Sequence, residues 1–411
     1  MGLFNVLALL LVVTAVLSYV NYAYIKLPKT LGLMLISLVF SMSLAALDLL
    51  GLEFIPEMAR NAVGAIDFSE AILKIVLCFL LFAGALHINL NAFFEQRWAI
   101  GVLSTVSVCI SAAIIGVGAY FLFPLFGFEI PFVACFLFGA LISPTDPIAV
   151  LALLKHSKMP DDSIRMKIAG ESLLNDGAGI VLFLVFFGVF MGTATFSVDY
   201  VLTTLLRESF GGIIYGLAIG WIAFQFIKRV DNYHIEILMS LALVAGGYAL
   251  ANLLHVSGPL AIVTAGLFIG NHGRNFGMSD ETRAHLDLFW EVIDDMLNAA
   301  LFVLVGLQAL LLNVKLGYIL AGLSAIPLVL SARFLSVWAA SVLTGVVKKF
   351  SEHAVLILTW GGLRGGVSFA LALALPHGEV RDALIIITYV VVIFSIVQGL
   401  SMGTLLKFLR V

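Results

Sequence analysis

Three observations predict an all-α integral membrane protein of about thirteen transmembrane helices. The 411-residue chain is 62 % hydrophobic and only 11 % charged, with mean hydropathy +1.12, outside the range of soluble domains. Its apolar runs are long enough to cross a bilayer and are separated by charged or Pro/Gly-containing loops. Two of those runs have helix-breaking centres at matching positions of two halves, the pattern of an inverted repeat with a site at mid-membrane.

In chain order the segments fall at about 3–25, 31–50, 68–88, 97–123, 130–155, 164–190, 204–228, 233–254, 258–271, 283–311, 315–344, 352–376 and 381–409. The ninth is short for a full crossing and is read as a candidate re-entrant segment. Met1 to Tyr24 lacks a basic n-region and an A-x-A site, so it reads as the first helix and not a cleaved signal. Val6 stands where a myristoylation signal needs Ser or Thr. No soluble domain is read at either end, so the expectation is one transmembrane unit, 1–411, without a soluble regulatory domain.

An odd number of crossings puts the termini on opposite sides. With the N-terminus outside, the inside loops and tail hold Lys26, Lys29, Arg97, Lys155, Lys158, Arg165, Lys167, Lys228, Arg229, Arg274, Arg283, Lys348, Lys349, Lys407 and Arg410. The outside loops then hold only Arg60, Arg207, Lys315 and Arg381, while Lys74, Arg333 and Arg364 lie within segments. That asymmetry predicts an inside C-terminus in a multi-pass membrane protein. The formal net charge of −3 argues against nucleic acid as a partner and leaves membrane lipid as the surroundings. Cys78, Cys109 and Cys135 have no metal-ligand spacing and read as small core hydrophobes. Trp98, Trp290, Tyr22 and Tyr24 suit interfacial anchoring. His87, His156, His255 and His353 read as surface or cap histidines, with pH sensing the alternative.

The fifth segment contains Ser143-Pro144-Thr145-Asp146-Pro147 and the twelfth Gly361-Gly362-Leu363-Arg364-Gly365-Gly366. Proline removes backbone donors and glycine loosens a helix. Unwound backbone at membrane depth is tolerated where it lines a cavity. The sixth segment carries Gly170-Glu171-Ser172-Leu173-Leu174-Asn175-Asp176-Gly177. Each ionisable residue there costs on the order of 2–3 kcal/mol to insert, so a functional reading is favoured over helix–helix glue. Ser172, Asn175 and Asp176 share one helical face at i, i+3 and i+4. Glu171 lies about 140° from Asp176, which predicts two separate tasks.

Thr145 and Asp146, with Ser172, Asn175 and Asp176, form an inventory of hard oxygen ligands without a His or Cys cluster. That suits a small alkali cation, with Asp176, Thr145 and Ser172 as its nearest ligands, and not a transition metal. A carboxylate held dry can bind a proton or a cation, not both, and this exclusion couples two opposite fluxes. Neutral Asn175 beside Asp176 makes one-for-one exchange the simpler expectation. Glu171 is expected to pair with Arg333, because an unpaired buried charge is strongly destabilising. Arg364, about 12 residues from either segment end, is expected to offset half-helix dipoles or to face Asp146. Asp287, Glu291, Asp294 and Asp295 recur on one face of the tenth segment. They read as a solvated helix end, with a wet vestibule as the alternative and Asn298 as a deeper supporting residue.

These motifs, together with Ala332-Arg333-Phe334-Leu335-Ser336-Val337, resemble in order and over nearly the whole chain those of the monovalent cation:proton antiporter-1 family, the NhaP/NHE type of sodium/proton exchanger. The resemblance implies an NhaA-like fold of thirteen helices with two broken, crossing helices, and core helices about 97–190 and 315–409. It also implies dimerisation helices about 1–90 and 204–311, a homodimer and an elevator-like motion of the core. Asp176 matches the ion-binding aspartate and Asn175 its neighbour in electroneutral members. Thr145, Asp146 and Ser172 match positions that shape the cation site, and Glu171 and Arg333 match a structural ion pair. The third-helix glutamate of some members has no counterpart in Phe82-Ala83-Gly84-Ala85-Leu86.

The reading is therefore a secondary antiporter in the cell membrane, not an enzyme. It exchanges Na+ or Li+ for H+ with no cofactor beyond the transported ions. Potassium/proton antiport and, less well, a cation channel are the alternatives. An intramembrane aspartyl protease using Asp146 and Asp176 is disfavoured, since its Tyr-Asp and Gly-x-Gly-Asp signatures are missing.

Overall fold

A computed structural model describes residues 3–49, 76–147, 150–151, 154, 162–312, 315–345 and 353–409. Every apolar segment read from the sequence contains a helix, and the extended pairing among the described residues is one isolated bridge, Asp146 with Leu363. We number the principal helices α1 (Leu3–Val20), α2 (Lys29–Leu49), α3 (Leu77–Leu86), α4 (Arg97–Ser104), α5 (Val106–Leu122), α6 (Phe132–Ile142), α7 (Asp162–Phe190) and α8 (Val198–Ile227). They continue as α9 (Tyr233–Leu253), α10 (Gly258–Phe268), α11 (Asp280–Leu307), α12 (Leu316–Gly345), α13 (Ala354–Trp360), α14 (Gly366–Leu373) and α15 (Glu379–Phe408). Seven stretches among the described residues are long and apolar enough to cross a membrane, Glu379–Phe408 being the most apolar.

The helix starts follow local chemistry. Ser197, Asn232, Ser257 and Ser279 each accept the backbone N–H of a first-turn residue of α8, α9, α10 and α11, caps worth about 1 kcal/mol each. Those caps explain why α8 and α11 begin earlier than hydropathy suggested. Their first turns hold Asp199 or Asp280 and Glu281, polar residues that suit a helix N-terminus but break an apolar run. The fourth segment is two helices joined at Thr105, whose hydroxyl donates to the Gly101 carbonyl at 2.6 Å. The short ninth segment is α10 extended by a π turn, Ile269–Gly273, together about 24 Å long.

The helices pack as two sets that make most of their contacts internally, α1–α3 with α8–α11 and α4–α7 with α12–α15. Close approach is bought by small residues. Gly212, Gly216 and Gly220 of α8 face α10, where a Cβ on Gly212 would stand 2.8 Å from the Ser257 carbonyl. This is the small-residue spacing that lets membrane helices meet backbone to backbone.

Two sequence expectations are corrected. Trp290 is no interfacial anchor: it is fully buried, its ring lies 4.7 Å from Phe82, and its indole N–H donates to Ser240 at 3.0 Å. A buried partner for the polar edge makes the interior the better place for it. Cys109 is exposed on α5, whereas Cys78 and Cys135 are buried. Trp98, Tyr22 and Tyr24 are exposed, as an interfacial position requires. Arg60, Lys74, Lys155, His156, Lys158, Lys348, Lys349 and Arg410 lie outside the described residues.

Candidate functional site at the crossing of two broken helices

Each break ends one helix in mid-protein. Helix α6 stops at Ile142, Ser143 turns its hydroxyl back onto the Gly139 carbonyl at 2.6 Å, and Pro144 to Pro147 are non-helical. Beyond the break the Pro147 carbonyl accepts Leu151 N–H at 2.8 Å. The second break runs from Gly361 to Gly365, between α13 and α14. The two breaks meet where Asp146 N–H donates to the Leu363 carbonyl at 2.8 Å, satisfying backbone groups that neither helix can pair. Glycine is required at this crossing. A Cβ on Gly365 would lie 2.8 Å from Asp146 Oδ2, and one on Gly362 would lie 2.9 Å from Arg333 Nε.

The C-terminal ends of the half-helices carry partial negative charge, and an arginine covers each. Arg364, 3 % exposed, donates through Nη1 to the carbonyls of Ser143 at 2.5 Å and Pro144 at 3.0 Å. Its backbone N–H donates to Ser395 at 2.7 Å. Of the two roles expected for Arg364, the structure thus shows the offset of a half-helix end. Arg333, also 3 % exposed, donates through Nε and Nη2 to the Leu358 carbonyl at 3.4 and 3.2 Å. Its Nη1 donates to Glu171 Oε1 at 2.5 Å.

Helix α7 passes the crossing unbroken and presents its polar face to it. Ser172 donates to the Thr145 carbonyl at 2.8 Å, and Asn175 Nδ2 donates to Thr145 Oγ1 at 2.9 Å. Thr145 is thereby held at both its backbone and its hydroxyl. Glu171, on the other side of the helix, faces Arg333, so the two carboxylates of this helix do lie in different surroundings. Thr145, Asp146, Ser172 and Asp176 line one cavity of about 700 Å³. Asn175 is fully buried behind it and Glu171 lies in the ion pair. The arrangement offers carboxylate, hydroxyl and backbone oxygens around a space large enough for a hydrated monovalent cation. Among the described residues there is no grouping of His, Cys, Asp and Glu of the kind that holds a transition metal.

The cavity extends from Asp176 to the ends of α2 and α3, where Lys29 and His87 line it. Glu291, Asp294 and Asp295 line the same space, and Asn298 donates to Asp294 Oδ1 at 3.1 Å. The reading of these acids as a solvated helix end is therefore corrected: they belong to the vestibule of the Asp176 cavity. Asp287, one turn earlier, pairs instead with Arg274. The recurrence of acids at three- and four-residue spacing was the available signal, but polarity at a helix end also reads as exposure. Ser368 of α14 lines the cavity as well, and as a lone hydroxyl in an apolar run it gives no sequence signal.

Three comparisons point to one family. A family model described as "Sodium/hydrogen exchanger, transmembrane" matches residues 10–408. The Na+/H+ antiporter NhaP of Pseudomonas aeruginosa is 44 % identical over 408 residues, covering 98 % of this chain and 96 % of that protein. The Na+/H+ antiporter NhaH of Halobacillus dabanensis is 33 % identical over 389 residues, covering 93 % and 92 %. Among solved structures, the sodium proton antiporter MjNhaP1 from Methanocaldococcus jannaschii superposes with a TM-score of 0.76 at 21 % identity, covering 98 % of this chain and 97 % of that one. At that identity the superposition speaks for the fold alone. By its motifs, its matched length and its relatives, this chain belongs to the sodium/hydrogen exchanger family.

Proposed function

We propose that this protein is a secondary antiporter that exchanges Na+ (or Li+) for H+, one for one, by competition of the two ions for Asp176. One observation carries the reading. Asp176 lies on an unbroken helix, against the crossing of two broken ones, in a cavity that also holds Thr145, Asp146 and Ser172. Thr145, Ser172 and Asp176 supply the ligands of the alkali cation, Asp146 adds negative charge beside them, and Asn175 fixes Thr145. Glu171 and Arg333 form a structural ion pair, and Arg364 neutralises the end of α6.

The remaining parts of the reading follow from the family and from charge. Helices of about 97–190 and 315–409 form the moving core, and those of about 1–90 and 204–311 form a dimerisation scaffold. The internal packing of the two helix sets supports that division. A homodimer seats its partner on the scaffold, where α8 carries exposed Leu206, Phe210, Ile214 and Trp221. Basic loops place the N-terminus outside and the C-terminus in the cytoplasm of a cell membrane. Lys29 and His87 then lie on the cytoplasmic side, so the cavity is open inward. An elevator movement of the core past the scaffold carries Asp176 to the other face.

The test is transport by the purified protein in proteoliposomes with a pH-sensitive dye. A Na+ or Li+ gradient is expected to drive saturable proton movement, and Asp176→Asn to abolish it while the protein still folds. Exchange retained in Asp176→Asn removes that residue from its role. Conductance without obligatory proton movement replaces exchange by a channel, and a response to K+ alone makes the protein a potassium antiporter.

A further inference from the structure

We infer that Lys29 is a tethered counter-ion in the vestibule, which competes with the arriving alkali cation and so sets the apparent cation affinity from that face. The inference rests on the exchange reading and adds a residue to it. Lys29 Nζ lies 2.7 Å from Asp295 Oδ2, with side chains 48 % and 58 % exposed. Both residues line the cavity that ends at Asp176. Five carboxylates of the described residues face this space: Asp146 and Asp176 at the deep end, and Glu291, Asp294 and Asp295 nearer Lys29. Among the described residues, the basic side chains lining it are Lys29 and His87.

His87 is turned to other partners. Its Nδ1 is 2.8 Å from the Ala83 carbonyl, and its Nε2 is 3.8 Å from Asp287, an acid that Arg274 also holds. Asp294 accepts from Asn298. Lys29 is therefore the basic side chain among the described residues that is paired to a vestibule acid. Its backbone is well held: Lys29 opens α2 immediately after Pro28, and Asn21 Nδ2 ties down the Leu27 carbonyl at 3.1 Å. A half-exposed pair of this kind is weak. A lysine ammonium and a sodium ion carry the same charge, so the entering ion displaces Lys29 from Asp295 and feels its repulsion until the cation passes inward. A structural tie between α2 and α11 would use the same geometry, and the two roles differ in what they change.

The experiment measures half-saturating Na+ at the vestibule face, in everted membrane vesicles and in proteoliposomes of known orientation. Lys29→Gln is expected to lower it by roughly two- to fivefold at low ionic strength, as removal of one nearby unit charge does in a wet site. The difference should shrink in about 0.5 M choline chloride, where the Debye length falls to a few ångströms. Lys29→Arg should keep the parent value, Asp295→Asn should raise it, and cation offered from the opposite face should show a smaller shift. Equal half-saturation in Lys29→Gln and parent, with or without a fall in melting temperature, overturns the inference and leaves a structural tie. A fall repeated in Lys29→Arg overturns it too. Calorimetric Na+ binding to the detergent-solubilised protein separates the two levels. If the parent binds Na+ but moves no protons, the exchange reading has failed. If the parent exchanges ions and Lys29→Gln binds Na+ no more tightly, only the role of Lys29 has failed.

Discussion

The two broken helices are alike in geometry and opposite in charge. The first break supplies Thr145, Asp146 and two freed carbonyls, all oxygen donors or anions. The second supplies glycines and Arg364. Each is covered at its C-terminal end by an arginine, yet Arg333 is itself paired with Glu171 whereas Arg364 donates to carbonyls. The difference teaches where the neutral background ends. Taken as ionised, the four charges of Glu171, Arg333, Asp146 and Arg364 around the crossing sum to zero, although Arg364 donates to carbonyls. Asp176 is left as the carboxylate whose charge one proton or one monovalent cation must compensate, and Asn175 adds none. The one-for-one stoichiometry we propose follows from that arithmetic.

Breaking the pair on the second break should have the largest effect on stability. Glu171→Ala leaves Arg333 buried with its charge uncompensated, which costs about 3–5 kcal/mol. Thermal unfolding in detergent should register a large loss, while the half-saturating Na+ concentration of surviving protein moves little. A stable Glu171→Ala protein with weakened cation binding would instead put Glu171 in the site. Arg364→Ala strips from Ser143 and Pro144 the charge-assisted hydrogen bonds of one shared Nη1, together worth on the order of 1.5–3 kcal/mol. Melting should fall by less than in Glu171→Ala, because the carbonyls left behind are dipoles and not a full charge. The smallest structural change should be Asn175→Asp. It keeps the shape of the side chain and replaces the amide donor to Thr145, but adds a carboxyl beside Asp176. Exchange should then respond to membrane voltage, and a response identical to the parent would contradict the charge balance above.

Much of this arrangement was legible in the sequence because polar residues are conspicuous against an apolar background. Glu171, Asp176, Arg333 and Arg364 are too costly at membrane depth to be incidental, and helical phase alone separated Glu171 from Asp176. Proline and glycine marked both breaks. What hydropathy could not supply was the crossing. The bridge from Asp146 to Leu363 joins segments far apart in the chain, so hydropathy alone does not choose between Asp146 and a helix end as the partner of Arg364. The acids of α11 were hidden for a different reason. A polar run at a helix end looks the same whether it meets bulk water or a water-filled vestibule. Trp290 misled similarly, since an indole near a segment end suits an interface unless a buried acceptor such as Ser240 waits for its N–H. Lys29 was counted only as a topological charge, because its partner Asp295 is remote in sequence.

Mutual exclusion at Asp176 is tested most directly by Na+ binding to the purified protein with simultaneous measurement of proton release. The expected result is about one proton released per sodium ion bound at low pH, with the apparent dissociation constant rising about tenfold for each unit the pH is lowered in the acidic range, and neither signal in Asp176→Asn. Sodium binding that releases no proton and keeps the same affinity across that range would contradict the account.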